Sequence, residues 1–148
     1  MSTLSSAIAA SASGLNAERA RIEVAVSNLA NSESTRSASG EPYRRRDVVL
    51  ASEEVEPFDG TLQNATALGT TTATGVRVAA VLEDRAEFKR RYEPSHPDAD
   101  PEGFVALPNI EPAEEMVDML SAARAYQANL TAINLVRDMI ARALELGR

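Results

Sequence analysis

Two apolar repeats, one near each end of the chain, constrain its fold more than any other feature. The first repeat places an apolar residue at every seventh position, at Ile8, Leu15, Ile22 and Leu29. The second does the same at Met119, Tyr126, Ile133 and Ile140, and it is interleaved with Met116, Ala123, Leu130 and Leu144. A seven-residue apolar repeat is typical of a helix that packs lengthwise against another helix. The repeats therefore predict a protein whose ends meet and whose work is assembly.

The sequence also predicts where the two helices begin and end. Ser2 or Thr3 can cap a first helix that runs to about Asn31. Pro112, whose fixed φ suits the first helical position, predicts the start of a second helix that runs to about Leu146. A helix of that length is long for a globular protein and ordinary for a coiled coil.

The residues between the helices predict a small β-rich region. Apolar and β-branched runs favour strands at Tyr43–Leu50, Val76–Leu82, Phe88–Tyr92 and Phe104–Leu107. Residues 59–75 are rich in Thr, Ala and Gly, which predicts a flexible loop. The predicted fold is mainly α with a small β-rich insert, and the long N- and C-terminal helices form a coiled-coil-like core domain. The predicted boundaries are 1–33 for the first helix, 34–108 for the middle region and 109–148 for the second helix.

Composition argues against several classes of function. The net charge of −7 and the pI of about 4.8 argue against a nucleic-acid partner. The chain has no cysteine, which excludes disulfides and thiolate metal sites. No stretch approaches the length of a membrane span, so the sequence predicts no direct membrane insertion. With no Trp, three Phe and three Tyr, the chain is expected to build only a modest core.

The first seventeen residues carry no charged side chain and are rich in Ala and Ser. They lack the basic residues that begin a cleaved secretory signal. Two interpretations are open, namely the start of a helix of small residues and an uncleaved signal for a dedicated export channel. Composition alone favours the first.

One cluster of residues is a candidate for metal binding or catalysis. His96, Asp98 and Asp100 lie close together and could ligate a divalent cation. The favoured alternative is an acidic turn punctuated by proline, whose side chains face water. No phosphate-binding glycine loop and no nucleophile motif is present, so the sequence predicts neither an enzyme nor a cofactor.

Two basic runs receive a structural interpretation. Arg44–Arg46 and Lys89–Arg91 are predicted to lie on edge strands, where alternating charges discourage unwanted strand pairing. Neither run has the interleaved aromatic residues of a single-stranded nucleic-acid groove.

The second helix is apolar over a broad arc, because Val117, Leu120, Leu135 and Val136 lie beside its repeat. Such a helix needs more than one partner, and the chain supplies only one other terminal helix. The sequence therefore predicts that copies or other proteins complete the packing, and that the ends of the isolated subunit order on assembly. The predicted subunit-packing residues are Leu15, Ile22, Val26, Leu29, Met116, Met119, Leu130, Ile133 and Ile140. Asn28 and Asn31 are predicted to fix the helix end and the exit of the loop through hydrogen bonds to backbone.

Several tracts resemble the flagellar basal-body rod protein family, most closely its proximal rod members. The resemblance covers nearly the whole chain and is carried by residues 13–19, 26–31, 41–45, 75–78, 92–100, 108–119 and 121–129. The Asn-Leu-Ala-Asn tract at 28–31 is similar to one shared by rod and hook proteins generally. The tracts His96–Asp100 and Glu114–Met119 are more specific to the proximal rod members.

The resemblance implies a non-enzymatic structural subunit. Members of the family pass through the flagellar type III export apparatus and polymerise in the periplasm through paired terminal helices. The expected partners are other rod subunits, copies of the chain and the export apparatus, and the expected location is the rod of the basal body. The resemblance favours the export-signal interpretation of residues 1–17. Two alternatives stay open, namely a metal-binding or enzymatic module centred on His96 and an export-gate adaptor that enters no filament.

Overall fold

The computed structural model describes residues 2–37, 40–55 and 73–146 of the chain. Its elements, in chain order, are α1 (Ser2–Ala30), β1 (Arg46–Val55), β2 (Ala73–Glu83), β3 (Lys89–Tyr92), β4 (Phe104–Leu107) and α2 (Pro112–Leu146). Strand β1 pairs with β2, and β3 pairs with β4, which gives two sheets of two strands each. The predicted arrangement of two terminal helices around a small β-rich segment is confirmed.

The two helices follow their sequence signals closely. Helix α1 has 29 residues and ends one residue before the predicted boundary. Helix α2 has 35 residues, begins at Pro112 and carries Glu114 and Glu115 in its first turn. Negative charge there is favourable because the unpaired N–H groups of a helix start carry a partial positive charge.

The strands between the helices differ more from expectation. Strand β1 begins at Arg46 rather than Tyr43 and continues to Val55. Strand β2 begins at Ala73, inside the range predicted to be a loop, because pairing with β1 outweighs the weak strand preference of Ala and Gly. Residues 59–72 of the predicted loop lie outside the described residues. Strand β4 has the predicted bounds, and β3 begins one residue later than predicted.

The β3–β4 pair forms a short antiparallel hairpin. Lys89 lies opposite Leu107, and Tyr92 lies opposite Phe104. The Tyr92 and Phe104 rings meet edge to face at 5.3 Å, within the range in which aromatic pairs attract. Alternate residues of β4 are buried, including Val105, which has no exposed surface. The hairpin thus supplies much of the apolar core of the middle region.

The chain divides into two compact units, and each helix contributes to both. The junction unit comprises Arg21–Val49 and Ala80–Ser121, and the terminal unit comprises Met1–Ala20, Leu50–Ala79 and Ala122–Arg148. Among the described residues, the buried apolar side chains of the junction unit are Ala25, Val105, Leu107 and Ile110. Those of the terminal unit are Ala17 and Ala122.

Helix α1 meets both α2 and β2 within the terminal unit. A Cβ added at Gly14 would lie 2.8 Å from Nδ2 of Asn129, so the glycine permits close approach. The adjacent Ser13 hydroxyl accepts the backbone N–H of Val76 at 3.0 Å and donates to the Ala10 carbonyl. A small residue, Gly14, and a polar one, Ser13, therefore bring α1 close to α2 and β2 in this unit.

No helix in the described parts of the chain is both long enough and apolar enough to cross a membrane.

We predict that Gly103→Ala, next to strand β4, lowers the free energy of unfolding of the chain more than Gly40→Ala does. Both glycines have positive φ, 84° and 86°, which costs another residue about 1–3 kcal/mol. An added Cβ at Gly103 would also lie 2.9 Å from the Tyr92 ring, whereas at Gly40 it meets nothing within 4 Å. Urea unfolding of the two variants measures the difference. Equal losses of stability would show that the Tyr92 contact has no cost.

Candidate functional site

A polar cluster in the junction unit joins the end of α1 to the starts of β1 and α2. We call it the Asn28 junction, and it consists of Asn28, Tyr43, Arg45, Arg46 and Glu115. Two of these polar side chains are almost completely buried, with exposed fractions of 1% for Asn28 and 2% for Glu115. Burying such groups is costly unless each polar atom finds a partner. The geometry of the junction supplies those partners.

Asn28 uses the full hydrogen-bonding capacity of its side-chain amide. Its Nδ2 donates to the carbonyl of Arg46 at 2.8 Å and to Oε2 of Glu115 at 3.0 Å. Its Oδ1 accepts the backbone N–H of Arg46 at 2.9 Å and the hydroxyl of Tyr43 at 3.1 Å. Asn28 therefore pairs with Arg46 through both backbone groups, as a neighbouring strand would.

Glu115 is held from its other side by Arg45. The Arg45 Nε donates to Oε1 of Glu115 at 2.6 Å, and its Nη2 lies 3.8 Å from Oδ2 of Asp118. Burial by itself lowers the pKa of the Arg45 guanidinium. The hydrogen bond to Glu115 and the attraction of Glu115, Asp47 and Asp118 outweigh burial, so the pKa of Arg45 is raised. The guanidinium therefore stays charged beside the buried carboxylate.

The edge-strand interpretation of the Arg44–Arg46 run is wrong for Arg44 and Arg45, for a physical reason, while Arg46 does lie on a strand of a two-stranded sheet. Arg44 and Arg45 precede β1, and Arg46 is its first residue. Arg44 lies over the Phe88 ring at 4.5 Å, while Arg46 reaches Glu83 at 3.2 Å. The three cations thus have three different partners, and the buried carboxylate of Glu115 draws Arg45 inward.

Asn31 closes the last turn of α1. Its Nδ2 donates to the carbonyl of Ser27 at 2.8 Å, and its backbone N–H is bonded to the same carbonyl at 3.2 Å. The hydroxyl of Ser32 donates to the Leu29 carbonyl at 2.9 Å. These bonds satisfy carbonyl groups that a helix end leaves without intrahelical partners.

The predicted subunit-packing residues lie at the surface or are half-buried. Half-buried are Leu15, Ile22, Leu29, Met119, Ile133 and Ile140. Exposed are Val26, Met116 and Leu130. Beside them on α2, Val117 is 64% exposed, Leu135 is 60% exposed and Leu144 is 63% exposed. The terminal helices therefore carry large apolar side chains that the described part of the chain leaves open to solvent.

Of the buried residues of the helices, the sequence pointed to a role for Asn28 alone. Ala17, Ala25, Ala122 and Glu115 are buried as well. The seven-residue repeats do not include these three alanines, although Ala17 and Ala25 are eight residues apart and so share a face of α1. The importance of Glu115 has no local signal beyond its place in the first turn of α2.

The residues of the predicted cation site make hydrogen bonds and ion pairs with other residues of the chain. The Asp98 carboxylate accepts the Thr35 hydroxyl at 2.8 Å and lies 3.7 Å from Arg36. The His96 ring Nδ1 accepts the backbone N–H of Asp98 at 3.1 Å. Within the described residues, no three or more His, Asp or Glu side chains are grouped so as to hold a metal ion. The structure therefore does not support a metal-binding module centred on His96.

Asp100 organises the turn between β3 and β4. Its Oδ1 accepts the N–H groups of Phe104 at 2.8 Å and Glu102 at 2.9 Å, and its Oδ2 accepts Arg90 at 2.8 Å. The bond from Phe104 is the largest cause by which the pKa of the Asp100 carboxyl is lowered. The ionised form of Asp100 is therefore the one that fits this turn.

The C-terminal part of the chain is similar in sequence to a known protein family. The family described as flagellar basal body rod FlgEFG protein, C-terminal, matches residues 102–146, which include all of α2. The C-terminal part of the chain is therefore similar to that of flagellar basal-body rod proteins.

Similarity to individual proteins shows the family to which the chain belongs. The flagellar basal-body rod protein FlgC of Bacillus subtilis is 43% identical over 142 residues, which cover 93% of this chain and 94% of the relative. FlgC of Borreliella burgdorferi is 40% identical, covering 97% of both chains, and FlgC of Salmonella typhimurium is 41% identical, covering 92% of both. The chain belongs to the FlgC family of flagellar basal-body rod proteins.

We predict that Glu115→Ala lowers the free energy of unfolding by about 3–5 kcal/mol, because it leaves the partly buried Arg45 without its carboxylate. The adjacent Glu114→Ala is the matched control. Glu114 is exposed, so its replacement should change stability by no more than about 0.5 kcal/mol. Urea unfolding of both variants tests the prediction. Overlapping unfolding curves for the two would show that the Asn28 junction contributes nothing.

We also predict an acid sensitivity at Asp100. Because its pKa is lowered by folding, the carboxylate stabilises the native state above its unfolded pKa of about 3.9, and this contribution is lost as pH falls through the lower native value. The urea midpoint of the unaltered chain should therefore fall more between about pH 5 and about pH 3 than that of Asp100→Asn. Asp138→Asn, on the exposed face of α2, is the control. An unchanged pH dependence in Asp100→Asn would refute the assignment.

Proposed function

We propose that this chain is a structural, non-enzymatic subunit of the bacterial flagellar basal-body rod, the proximal rod in particular. The observation that carries the proposal is the exposure of large apolar side chains along α2, together with Val26 on α1, in a FlgC family member. An exposed apolar surface of this extent is typical of an interaction site. In a rod, neighbouring subunits cover that surface.

Assembly would bury apolar side chains that are exposed in the single chain. Fully burying one Val, Leu or Met side chain contributes about 1.5–3 kcal/mol relative to leaving it exposed. Helix α2 alone presents seven large apolar residues that are exposed in the single chain, namely Met116, Val117, Leu120, Leu130, Leu135, Met139 and Leu144. Covering all seven offsets a large part of the roughly 4–15 kcal/mol that association costs in lost freedom of motion. Assembly therefore supplies apolar stabilisation that the single chain lacks.

We propose that the seven-residue repeats form a coiled-coil-like core domain within the assembly. The residues that make the packing contacts are the nine predicted from the sequence, from Leu15 and Ile22 on α1 to Ile133 and Ile140 on α2. They bind copies of the chain and other rod subunits. Their half-buried or exposed positions support this role, because a residue already buried within its own chain has little surface left for a neighbour.

We further propose that the subunit leaves the cytoplasm through the flagellar type III export apparatus and polymerises in the periplasm. The support is the uncharged segment of residues 1–17, together with membership in the FlgC family. The first described residues of this segment begin α1. Its Ala- and Ser-rich composition suits a segment that the export apparatus first recognises in an extended form and that later packs as a helix.

One experiment separates the rod subunit from an adaptor that acts only at the export gate. An epitope-tagged chain, expressed in a strain that lacks its own copy, should co-purify with intact basal bodies after the export apparatus is stripped away. A chain found only in the membrane fraction that contains the export apparatus would favour the adaptor and overturn the rod assignment.

We predict that Ile133→Asp abolishes swimming and rod assembly while export of the variant continues. The new carboxylate would have to be buried between subunits, and an unpaired buried charge is costly. Asn134→Asp introduces the same charge at an exposed neighbouring position and should leave swimming intact. Motility, secreted protein and purified basal bodies are compared in the two strains. Complete rods containing the Ile133→Asp chain would contradict the packing role.

A further inference from the structure

The two units of the chain differ in what they bury. In the junction unit, Val105, Leu107 and Ile110 are buried together with Asn28 and Glu115. The described side chains that are buried in the terminal unit belong to two alanines, Ala17 and Ala122. Burial of apolar area stabilises by about 25 cal/mol per Å². The large apolar residues of the terminal unit, such as Leu15, Ile133 and Ile140, are half-buried, so each contributes less than a fully buried residue of the junction core does.

The Asn28 junction adds a cooperative element to the unit that contains it. Asn28, near the end of α1, is bonded at once to Tyr43 and Arg46 at the entry to β1 and to Glu115 in the first turn of α2, so it joins three parts of the chain. Releasing any one part leaves a buried donor, acceptor or charge without a partner, which is costly. The end of α1 and the start of α2 therefore open together or not at all.

The parts of the helices in the terminal unit lack a comparable core. Leu130, Leu135, Met139 and Leu144 all remain exposed there. Gly14 lowers the helix preference of the α1 segment by about 1 kcal/mol relative to Ala. Most of the stability of a helix in a protein comes from tertiary packing rather than from intrinsic propensity. Large apolar residues are exposed in both units, as Met116 and Val117 show, so the difference lies in the Asn28 junction and the fully buried side chains around it. Residues 2–20 and 122–146 therefore depend on contacts from outside the chain more than the remaining helical residues do.

We infer that the Asn28 junction is a latch that keeps the inner part of each terminal helix, residues 21–30 of α1 and 112–121 of α2, folded in the isolated subunit. Only residues 2–20 and 122–146 are left to order when neighbouring subunits bind. This inference refines the expectation that the ends of the isolated subunit order on assembly. It rests on the proposed rod function only for what supplies the ordering contacts, because the latch itself is a property of the single chain.

Amide hydrogen exchange of the isolated full-length chain, followed residue by residue by NMR, tests the latch. We expect amides of residues 21–30 and 116–121 to exchange at least about a hundredfold more slowly than those of residues 6–20 and 122–146. Equal protection along each whole helix would overturn the inference, whether that protection is strong or absent. This measurement does not involve the rod, so its failure is distinguishable from failure of the basal-body experiment.

Asn28→Asp tests the mechanism of the latch. The substitution removes both Nδ2 donors and places a second carboxylate beside Glu115, so it should reduce protection in residues 21–30 and 116–121 by about a hundredfold or more. Asn16→Asp makes the same change at an exposed position of α1 and should leave that protection unaltered. Retained protection in Asn28→Asp would overturn the latch. If the variant unfolds entirely, its unfolding supports the latch provided that the unaltered chain shows the expected boundary.

Discussion

The hydrogen bonds of the Asn28 side-chain amide are the interactions on which the rest of the junction unit depends. The amide offers two donors and two acceptor sites, and the structure uses all four. Aspartate has no donor for the Arg46 carbonyl, and serine is too short to bond both backbone groups of Arg46. The amide thereby fixes where α1 ends, where β1 begins and which turn of α2 lies against them. A single side chain thus sets the path of three elements that are far apart in sequence.

Glu115, which accepts a hydrogen bond from that amide, also forms an ion pair with Arg45. Such a pair can stabilise the fold or select one arrangement of it. A buried ion pair is weak evidence for stability, because removing two charges from water offsets much of their attraction. The Arg45–Glu115 pair is better understood as selecting one alignment of the helices. Alanine and glycine contacts such as those at Ala17, Ala25 and Gly14 would tolerate a shift of one helix along the other. A buried carboxylate would not tolerate it, because every other alignment separates Glu115 from both Asn28 and Arg45.

The local sequence pattern was enough to predict the two helices, but it was not enough to predict the contacts of the Asn28 junction. The seven-residue repeats and Pro112 predicted both helices to within one residue at the boundaries that could be compared, because those signals lie within each helix. The bond between Asn28 and Glu115 joins residues 87 positions apart, and no local period encodes such a contact. The strand β2 was predicted to start too late because the stability of a paired strand comes from its neighbour rather than from its own composition. Arg45 was misread for the same reason, since a charge is placed by its partner and Glu115 was not recognised as that partner.

The distribution of large and small residues on the helices connects the fold to the function of a rod protein. In a helix pair that is complete by itself, the large residues of the repeat fill the seam and small or polar residues face water. Here, alanines and a polar cluster occupy the buried positions, and large residues such as Val117 and Leu135 are exposed. Close packing of small residues fixes geometry while burying little apolar area, so most of the apolar surface is left for contacts between subunits. If neighbouring subunits cover that surface, as we propose, the chain gains its full stability only in the assembly, and the folding of each subunit is coupled to its incorporation.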